Sequence, residues 1–556
     1  MHPVFAGCIF YCSDLPLMVH YETEWGISMI RLNNLTLPPE GDPAQLKRKA
    51  AKLLGVSPDS FTGFSLARQS IDARKKSDVK LVYTVDLSHP AEHKLKLPKQ
   101  AALFTPQPYV FPAVRRKSTA RPVVVGMGPA GLFCALQLAR AGIPCLILER
   151  GQDVESRTAA VETFWSGGTL DPESNVQFGE GGAGTFSDGK LTTGIHDPRV
   201  TAVLDMLSDA GAPEDIRWQH KPHIGTDILR QVVKNIRCEL LSLGCEIRFG
   251  HCLTGLTARG GVLAGFTARG PEGPYGESCD TLILAPGHSA RDTFEMLRDS
   301  GIPMAPKPFA IGVRIEHDQA MISQAQFGEA WTRLPAADYK LACHLPDGRS
   351  AFTFCVCPGG QVVAAASEPG RLVTNGMSYR ARDGKNINGG FLVGVNPADY
   401  GCSDTSDDPL LGVAFQRRWE EAAFLLGGKN YHAPAQTVAE FLGGNAPANA
   451  ISATYRPGVR NAPLDDCLPA FVTDTLRAAL PLLGRKLTGF DHPGALLTGI
   501  ETRSSSPVRI LRGEDYQSIG LPGLYPCGEG AGYAGGITSA AVDGLRVAEA
   551  IAVNSI

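Results

Sequence analysis

Val123-Val124-Val125-Gly126-Met127-Gly128-Pro129-Ala130-Gly131 is the stretch whose reading decides the fold. Three valines make a short buried strand, and glycines at 126, 128 and 131 follow at once in the G-x-G-x-x-G spacing. Leu132, Ala135, Leu136 and Ala139 then recur at helical intervals, and Gly142 is placed to end the helix. Cys145-Leu-Ile-Leu148 reads as the next strand, and it ends in Glu149. Each part has a physical task. Gly126 makes the tight turn, Gly128 lets the backbone approach a pyrophosphate, and Gly131 lets helix and strand pack closely. The phosphates sit on the helix N-terminus, where free N–H groups and the dipole favour negative charge. Glu149 is expected to accept from the adenosine ribose hydroxyls, with Pro129, Ala130 and Arg150 beside it in the same site. A lone glycine triplet would be weak; its setting in strand, turn, helix and strand makes it specific for a dinucleotide.

Three later features select FAD over NAD. Leu524-Tyr-Pro-Cys527-Gly528-Glu529 is a strand running into a glycine turn, followed by Gly530 to Gly536 and a helix from about Thr538 to Ala552, with Gly528, Glu529, Gly536 and Ile537 expected at the cofactor. In folds of the glutathione-reductase type an acid at this turn holds the ribitol, and here the acid is Glu529 rather than the usual Asp. The helix that follows points its positive end at the flavin ring, where negative charge collects on reduction. Thr281-Leu-Ile-Leu-Ala-Pro286-Gly287-His288 is another buried strand ending at a glycine turn. Finally, only one complete fingerprint occurs, whereas a pyridine-nucleotide disulfide reductase would carry a second.

Gly179-Glu-Gly181-Gly182-Ala-Gly184-Thr-Phe-Ser187-Asp188-Gly189-Lys190 is the densest glycine run. Residues 184–190 match most of a Walker A loop, but Leu191 stands where a Mg²⁺-binding hydroxyl is needed. The loop is expected to line the pyrophosphate and flavin ring, with Ser187, Asp188 and Lys190 facing the reactive N5 edge.

Working outward, residues 29–118 read as a small α+β domain and a basic linker. Asp42-Pro43 starts a helix carrying Leu46, Ala50, Leu53 and Leu54, and Val79 to Leu87 alternate as a half-buried strand. The basic stretch Lys94–Arg121 reads as a solvated linker. Residues 119–300 form the first part of the FAD domain. Residues 301–484 form an inserted β-rich substrate domain, with strands at Gln361–Ser367 and Phe391–Val395 and a turn at Asn375-Gly376. Residues 485–556 return to the FAD domain. The expected class is therefore α/β: a Rossmann-type FAD-binding domain of the glutathione-reductase/hydroxylase type, with an inserted substrate domain and a small N-terminal α+β domain. The first 28 residues lack a basic n-region and a cleavage pattern and read as an extension. A net charge of −3 argues against nucleic acid or anionic membrane as a partner. Fourteen cysteines with no regular framework read as reduced thiols in a cytoplasmic enzyme.

Several runs resemble one bacterial family. They are Asn175 to Thr193, Lys221-Pro-His-Ile-Gly-Thr-Asp227, Ile311-Gly-Val-Arg-Ile-Glu-His317, Phe354-Cys-Val-Cys-Pro-Gly-Gly360, Asn375-Gly-Met-Ser-Tyr379, Glu501 to Arg509 and Gly528 to Gly536. The chain from Met29 onward is similar to the largely uncharacterised FAD-dependent dehydrogenases that share an FAD-dependent protein C-terminal domain. The resemblance implies FAD, a cytoplasmic setting and oxidoreductase chemistry; it names no substrate.

Lys190, His223, Arg314 and Arg503 are the candidate catalytic residues. The two guanidinium groups suit a carboxylate or phosphate, and His223, like His288, suits proton transfer near neutral pH. Cys355-x-Cys357 has no histidine or second cysteine pair at zinc-ligand spacing, so it reads as packing, and no metal is expected. The expected reaction is hydride transfer between a small substrate and flavin N5, with NAD(P)H as a transient donor or a separate reductase as a partner. A flavin monooxygenase is the alternative from the same class. A flavin-holding RNA-binding or regulatory module, using the N-terminal domain and the basic linker, is the alternative from another.

Overall fold

The computed structural model describes residues 28–402 and 408–554; nearly all of the expected N-terminal extension (residues 1–27) lies outside the described residues. The chain divides into two units. The smaller takes in residues 28–35, 44–65 and 84–107. The N-terminal region carries a four-stranded sheet in the order Gly63–Asp72, Lys80–Ser88, Met29–Leu37, Ala101–Phe104. Its helix is Gln45–Leu54, capped by Gly55 in the left-handed conformation. The helix starts later than expected, because Pro43 and Ala44 form a turn before it. Leu46, Ala50 and Leu54 are buried, but Leu53 faces solvent, since helical geometry turns one of two adjacent leucines off the apolar stripe.

The larger unit carries all of the chain from Pro108 on. Part of the basic stretch is tied down in it: the Arg115 and Arg116 N–H groups donate to the Ala552 carbonyl at 2.7 and 3.0 Å. Arg116 also pairs with Asp280 at 3.3 Å, so this piece of the expected linker is not solvated throughout.

Five parallel strands form one sheet of this unit, in the order Leu524–Pro526, Leu282–Leu284, Val123–Val125, Leu146–Glu149, Glu246–Phe249. The first four are buried at every residue, which is why they read as largely apolar runs, whereas the edge strand Glu246–Phe249 is half-buried. Helices Pro129–Arg140, Thr226–Ser242 and Ile537–Val553 contribute to the core on one face. An antiparallel meander (Cys252–Arg259, Val262–Gly270, Gly273–Ser278) contributes to the core on the other. Helices Pro129–Arg140 and Ile537–Val553 cross closely at Gly544, where a Cβ would lie 2.3 Å from the Ala130 carbonyl oxygen.

A second sheet has seven strands, in the order Ala342–His344, Ser350–Cys357, Asn386–Val395, Phe309–Asp318, Leu496–Glu501, Ala433–Thr437, Val459–Asn461. Phe309–Asp318 pairs antiparallel with Asn386–Val395 along its whole length and with Leu496–Glu501 on its other side. Leu496–Glu501 thus belongs to the inserted sheet, which reaches past the expected limit at 484, and the chain rejoins the parallel sheet only at Leu524. Asn375-Gly376 is not a turn but the middle of strand Thr374–Met377, paired with Gln361–Ala364. A Cβ on Gly376 would lie 2.1 Å from Arg314 Nη2, so this glycine answers to packing rather than to chain reversal. No helix among the described residues is long and apolar enough to cross a membrane.

Candidate functional site

A single cavity collects the motifs. It opens at the C-terminal ends of the parallel strands, where open α/β sheets place their ligands. Gly126, Gly128, Pro129 and Ala130 line it at the first strand, with Glu149 and Arg150 at the next. Gly287 lines it after Leu282–Leu284, and Glu529, Gly536 and Ile537 after Leu524–Pro526. The loop at 179–190 supplies Gly182, Gly184, Ser187, Asp188 and Lys190. Gly131, Gly181 and Gly528 do not line the cavity; each supports it from behind. A Cβ on Gly131 would lie 2.0 Å from the Gly126 carbonyl oxygen, and one on Gly528 2.5 Å from Ala130 Cβ. Gly181 donates its N–H to the Met127 carbonyl at 2.8 Å and so straps the second glycine loop to the first.

Two helix N-termini open into this cavity. Pro129–Arg140 begins at Gly128 and Ile537–Val553 at Gly536, and neither has a side-chain cap. The first N–H groups of a helix need partners, and an anion supplies them.

Glu149 is buried and accepts three backbone N–H groups, from Met127 (2.8 Å), Gly151 (2.9 Å) and Gly179 (3.0 Å). Besides lining the cavity, it ties the fingerprint turn to the 179 loop. Arg150 pairs with Asp292 and Glu173 and lies 4.3 Å over the Phe178 ring. Asp188 is fully buried; burial would raise its pKa, but Lys190 and Arg382 hold it below the ordinary carboxylate range. Lys190 Nζ lies 2.8 Å from Asp188 Oδ2 and keeps partial exposure to the cavity.

Of the other catalytic candidates, Arg503 lines the cavity, and His223 and Arg314 do not. His223 does not line the cavity; its Nε2 faces the Arg380 carbonyl at 3.3 Å, and its backbone bridges to Lys190. Burial, with Arg382 beside it, pushes its pKa down to about 4. His288 lines the cavity, and burial with Arg503 and Arg291 pushes it down to about 3. Desolvation thus favours the neutral form of both imidazoles near pH 7. Arg314 is also off the cavity, fully buried, with Nη1 3.0 Å from Glu501 Oε2 and Nη2 3.0 Å from the Cys355 carbonyl. Arg503 lines the cavity, but its guanidinium is spent inward on Glu420 (2.9 and 3.1 Å) and Ser367 (2.5 Å). These two arginines organise the wall instead of reaching outward for an anion.

Sequence reasoning missed the contribution of the second sheet. Phe354, Cys355 and Glu501 of that sheet line the cavity, as does Asn375 of strand Thr374–Met377. Each lies in a run that carries the family resemblance, yet no local pattern places it at the site, because only sheet pairing brings it there. Among the described residues no group of three or more His, Cys, Asp and Glu is placed to hold a metal ion.

Burial pushes the Glu529 carboxyl up to about 7. The folded state thus binds a proton that the unfolded chain releases near pH 4.5, and wild-type stability is penalised as pH rises between about 4.5 and 7. Glu529→Gln is expected to match wild type near pH 4.5 and to exceed it by about 3 kcal/mol above pH 7.5 in the flavin-free protein. Urea melts of both proteins across that range test this; a difference that stays constant with pH refutes it.

Three family models match the chain. An FAD binding domain matches residues 121–270, the C-terminal-domain-like part of an FAD-dependent protein matches 308–504, and a domain of unknown function matches 29–88. A relative from Clostridium beijerinckii, described as an "Uncharacterized protein", is 46% identical over 536 residues, spanning 94% of this chain and 98% of the relative. Among solved structures, a geranylgeranyl bacteriochlorophyll reductase-like protein from Thermoplasma acidophilum is 13% identical, with 78% of each chain covered and a TM-score of 0.34. A triple mutant of the flavin-dependent brominase Bmp2 is also 13% identical, with 78% of this chain and 80% of that chain covered and a TM-score of 0.33.

Proposed function

We propose, from the premise that this chain belongs to the family of FAD-dependent proteins sharing that C-terminal domain, that it is an oxidoreductase moving a hydride between a small substrate and the flavin, in the dehydrogenase or reductase sense. The observation that carries this reading is the pair of uncapped helix N-termini, at Gly128 and Gly536, opening into one cavity. A flavin dinucleotide places negative charge at two points, its pyrophosphate and the pyrimidine side of its reduced ring. Two separate positive helix ends fit that demand. Bound there, FAD would supply the two-electron chemistry.

The chain's own residues then divide the work. Gly126 to Ala130, with Gly182, would take the pyrophosphate, and Glu149 with Arg150 the adenosine side. Glu529 would hold the ribityl chain, and Gly536-Ile537 would face the ring. Lys190 presents its amine to the cavity, 2.8 Å from Asp188, whose carboxyl it and Arg382 hold below the ordinary range. We assign it the orientation of an anionic substrate. Phe354 of the second sheet and Asn375 of strand Thr374–Met377 line the same cavity and would exclude water from the ring. With one fingerprint in the chain, a nicotinamide donor docks transiently or a separate reductase delivers the electrons.

Anaerobic rapid mixing of the yellow protein with NADPH, NADH and candidate metabolites is expected to bleach the flavin with at least one of them. If none does, the dehydrogenase reading fails. Oxygen consumption that depends on an added substrate would put the monooxygenase in its place.

A further inference from the structure

The Cys355–Cys357 pair is built into the cavity wall in a way that packing alone does not require. Strand Ser350–Cys357 pairs regularly with Asn386–Val395 up to Phe354, which lies opposite Gly390. Cys357 then lies opposite Asn388, so three steps on one strand meet two on the other, which is a β-bulge. Cys355 sits at the bulge with φ +40°, a left-handed conformation rare for a residue with a side chain. The result is that Cys355 lines the cavity, together with Phe354, Glu501 and Glu529, while Cys357 is fully buried behind it. Strained backbone of this kind concentrates at functional sites.

The surroundings suit a reactive sulfur. The Cys357 thiol is 3.3 Å from the Cys355 carbonyl and within hydrogen-bonding reach of the Cys355 sulfur. Arg314 Nη2 lies 3.8 Å from Cys357 Sγ and 3.0 Å from the Cys355 carbonyl oxygen. The Cys357 thiol, helped by Arg314 and Lys190 against burial, draws the Cys355 pKa down to about 7. A half-buried, cavity-lining thiol of lowered pKa with a second thiol behind it is the arrangement of dithiol–disulfide couples. A second close pair, Cys145 and Cys245, stands just before strands Leu146–Glu149 and Glu246–Phe249, at the sheet edge away from the cavity.

We propose that Cys355 and Cys357 are a redox-active dithiol that exchanges two electrons with the flavin, an inference that rests on the flavin reading above. In the oxidising direction two S–H bonds break and one S–S bond forms between the two residues. Both electrons and one proton pass to FAD, giving FADH⁻, and the second proton leaves to solvent. The reverse direction returns the same electrons and protons to the sulfurs. Cys355 is the sulfur that faces the flavin, and Cys357 is the resolving one.

Anaerobic reductive titration of the full-length yellow protein, after oxidation, tests this. Wild type is expected to take four electrons per flavin, and Cys357→Ser and Cys355→Ser two each, all three remaining yellow. Peptide mapping of the oxidised wild-type protein should find residues 355 and 357 joined and closed to alkylation, opening only after reduction. A yellow wild-type protein that takes two electrons, with both cysteines alkylated before reduction, overturns the dithiol and leaves the flavin reading standing. Four electrons in both serine variants would assign the extra pair elsewhere and likewise overturn it. A colourless protein that takes up no FAD sinks both readings, and its absorbance reveals that before any titration.

Discussion

Gly128→Ala is expected to fold as wild type does and to lose its flavin. A Cβ at this position meets one heavy atom, the Gly182 Cα at 3.7 Å, which is ordinary contact. The backbone there (φ −76°, ψ −178°) is one that alanine adopts without strain. Yet Gly128 caps the helix and lines the cavity, so the added methyl occupies the space through which a pyrophosphate reaches the first N–H groups. Losing that approach should weaken FAD binding by roughly 100-fold or more, about 3 kcal/mol. The neighbouring glycines behave differently. At Gly126 (φ +96°) a Cβ would lie 2.2 Å from the Ala285 carbonyl oxygen, and at Gly131 2.0 Å from that of Gly126. Backbone cannot yield by that much, so both alanine variants should fail to fold. Circular dichroism with flavin absorbance after purification, followed by titration of the apoprotein with FAD, separates the two outcomes. Stoichiometric, tightly held FAD in Gly128→Ala would refute the assignment of the pyrophosphate to this turn.

Glu420→Ala is expected to destabilise the protein by about 3–5 kcal/mol, the usual cost of breaking a buried ion pair from one side. Glu420 is fully buried between two guanidinium groups, Arg291 (2.7 Å) and Arg503 (2.9 Å), and also accepts from Thr502 at 2.7 Å. Burial would raise its pKa, but the two arginines hold it well below the ordinary range. Its contribution is therefore present above the unfolded-state value near 4.5 and is lost as pH falls through the lower folded-state value. Removing the carboxylate leaves two desolvated cations facing each other, relieved only by Glu368 at the edge of the cluster. Glu420→Gln keeps acceptor capacity and the shape of the site, and should lose less. Urea melts at pH 7 and pH 4 give the comparison. An alanine variant that unfolds at the wild-type midpoint at pH 7 would show that the cluster is not what holds the cavity floor.

The parts of the site legible in the chain are those made by near neighbours. Strand, turn and helix at Val123–Arg140 are consecutive, so glycine spacing alone reports the turn, and a second such run reports Leu524–Val553. The loop at 179–190 was readable for the same reason: its glycines cluster where backbone must approach backbone, as at Gly182 and Gly128. Other readings failed where local preference yields to distant contacts. Asn375-Gly376 has the composition of a hairpin turn, yet it lies in a strand because Arg314 packs against the glycine. Leu496–Glu501 has no helical or nucleotide-site signal of its own and joins the second sheet through Phe309–Asp318 on one side and Ala433–Thr437 on the other. Arg314 and Arg503 offer guanidinium forks to any reader of the sequence, and nothing nearby in the chain reveals that Glu501 and Glu420 already fill them.

By itself, then, the sequence determined the dinucleotide fold, the two glycine turns and the loop between them, since backbone conformation over a few residues is set by the residues themselves. Only the tertiary structure decided which charges face the cavity, which histidines stay neutral, and that a bulged strand turns Cys355 toward it. Those depend on burial and on pairing between segments far apart in the chain, and desolvation is a property of the packed molecule that no short stretch carries.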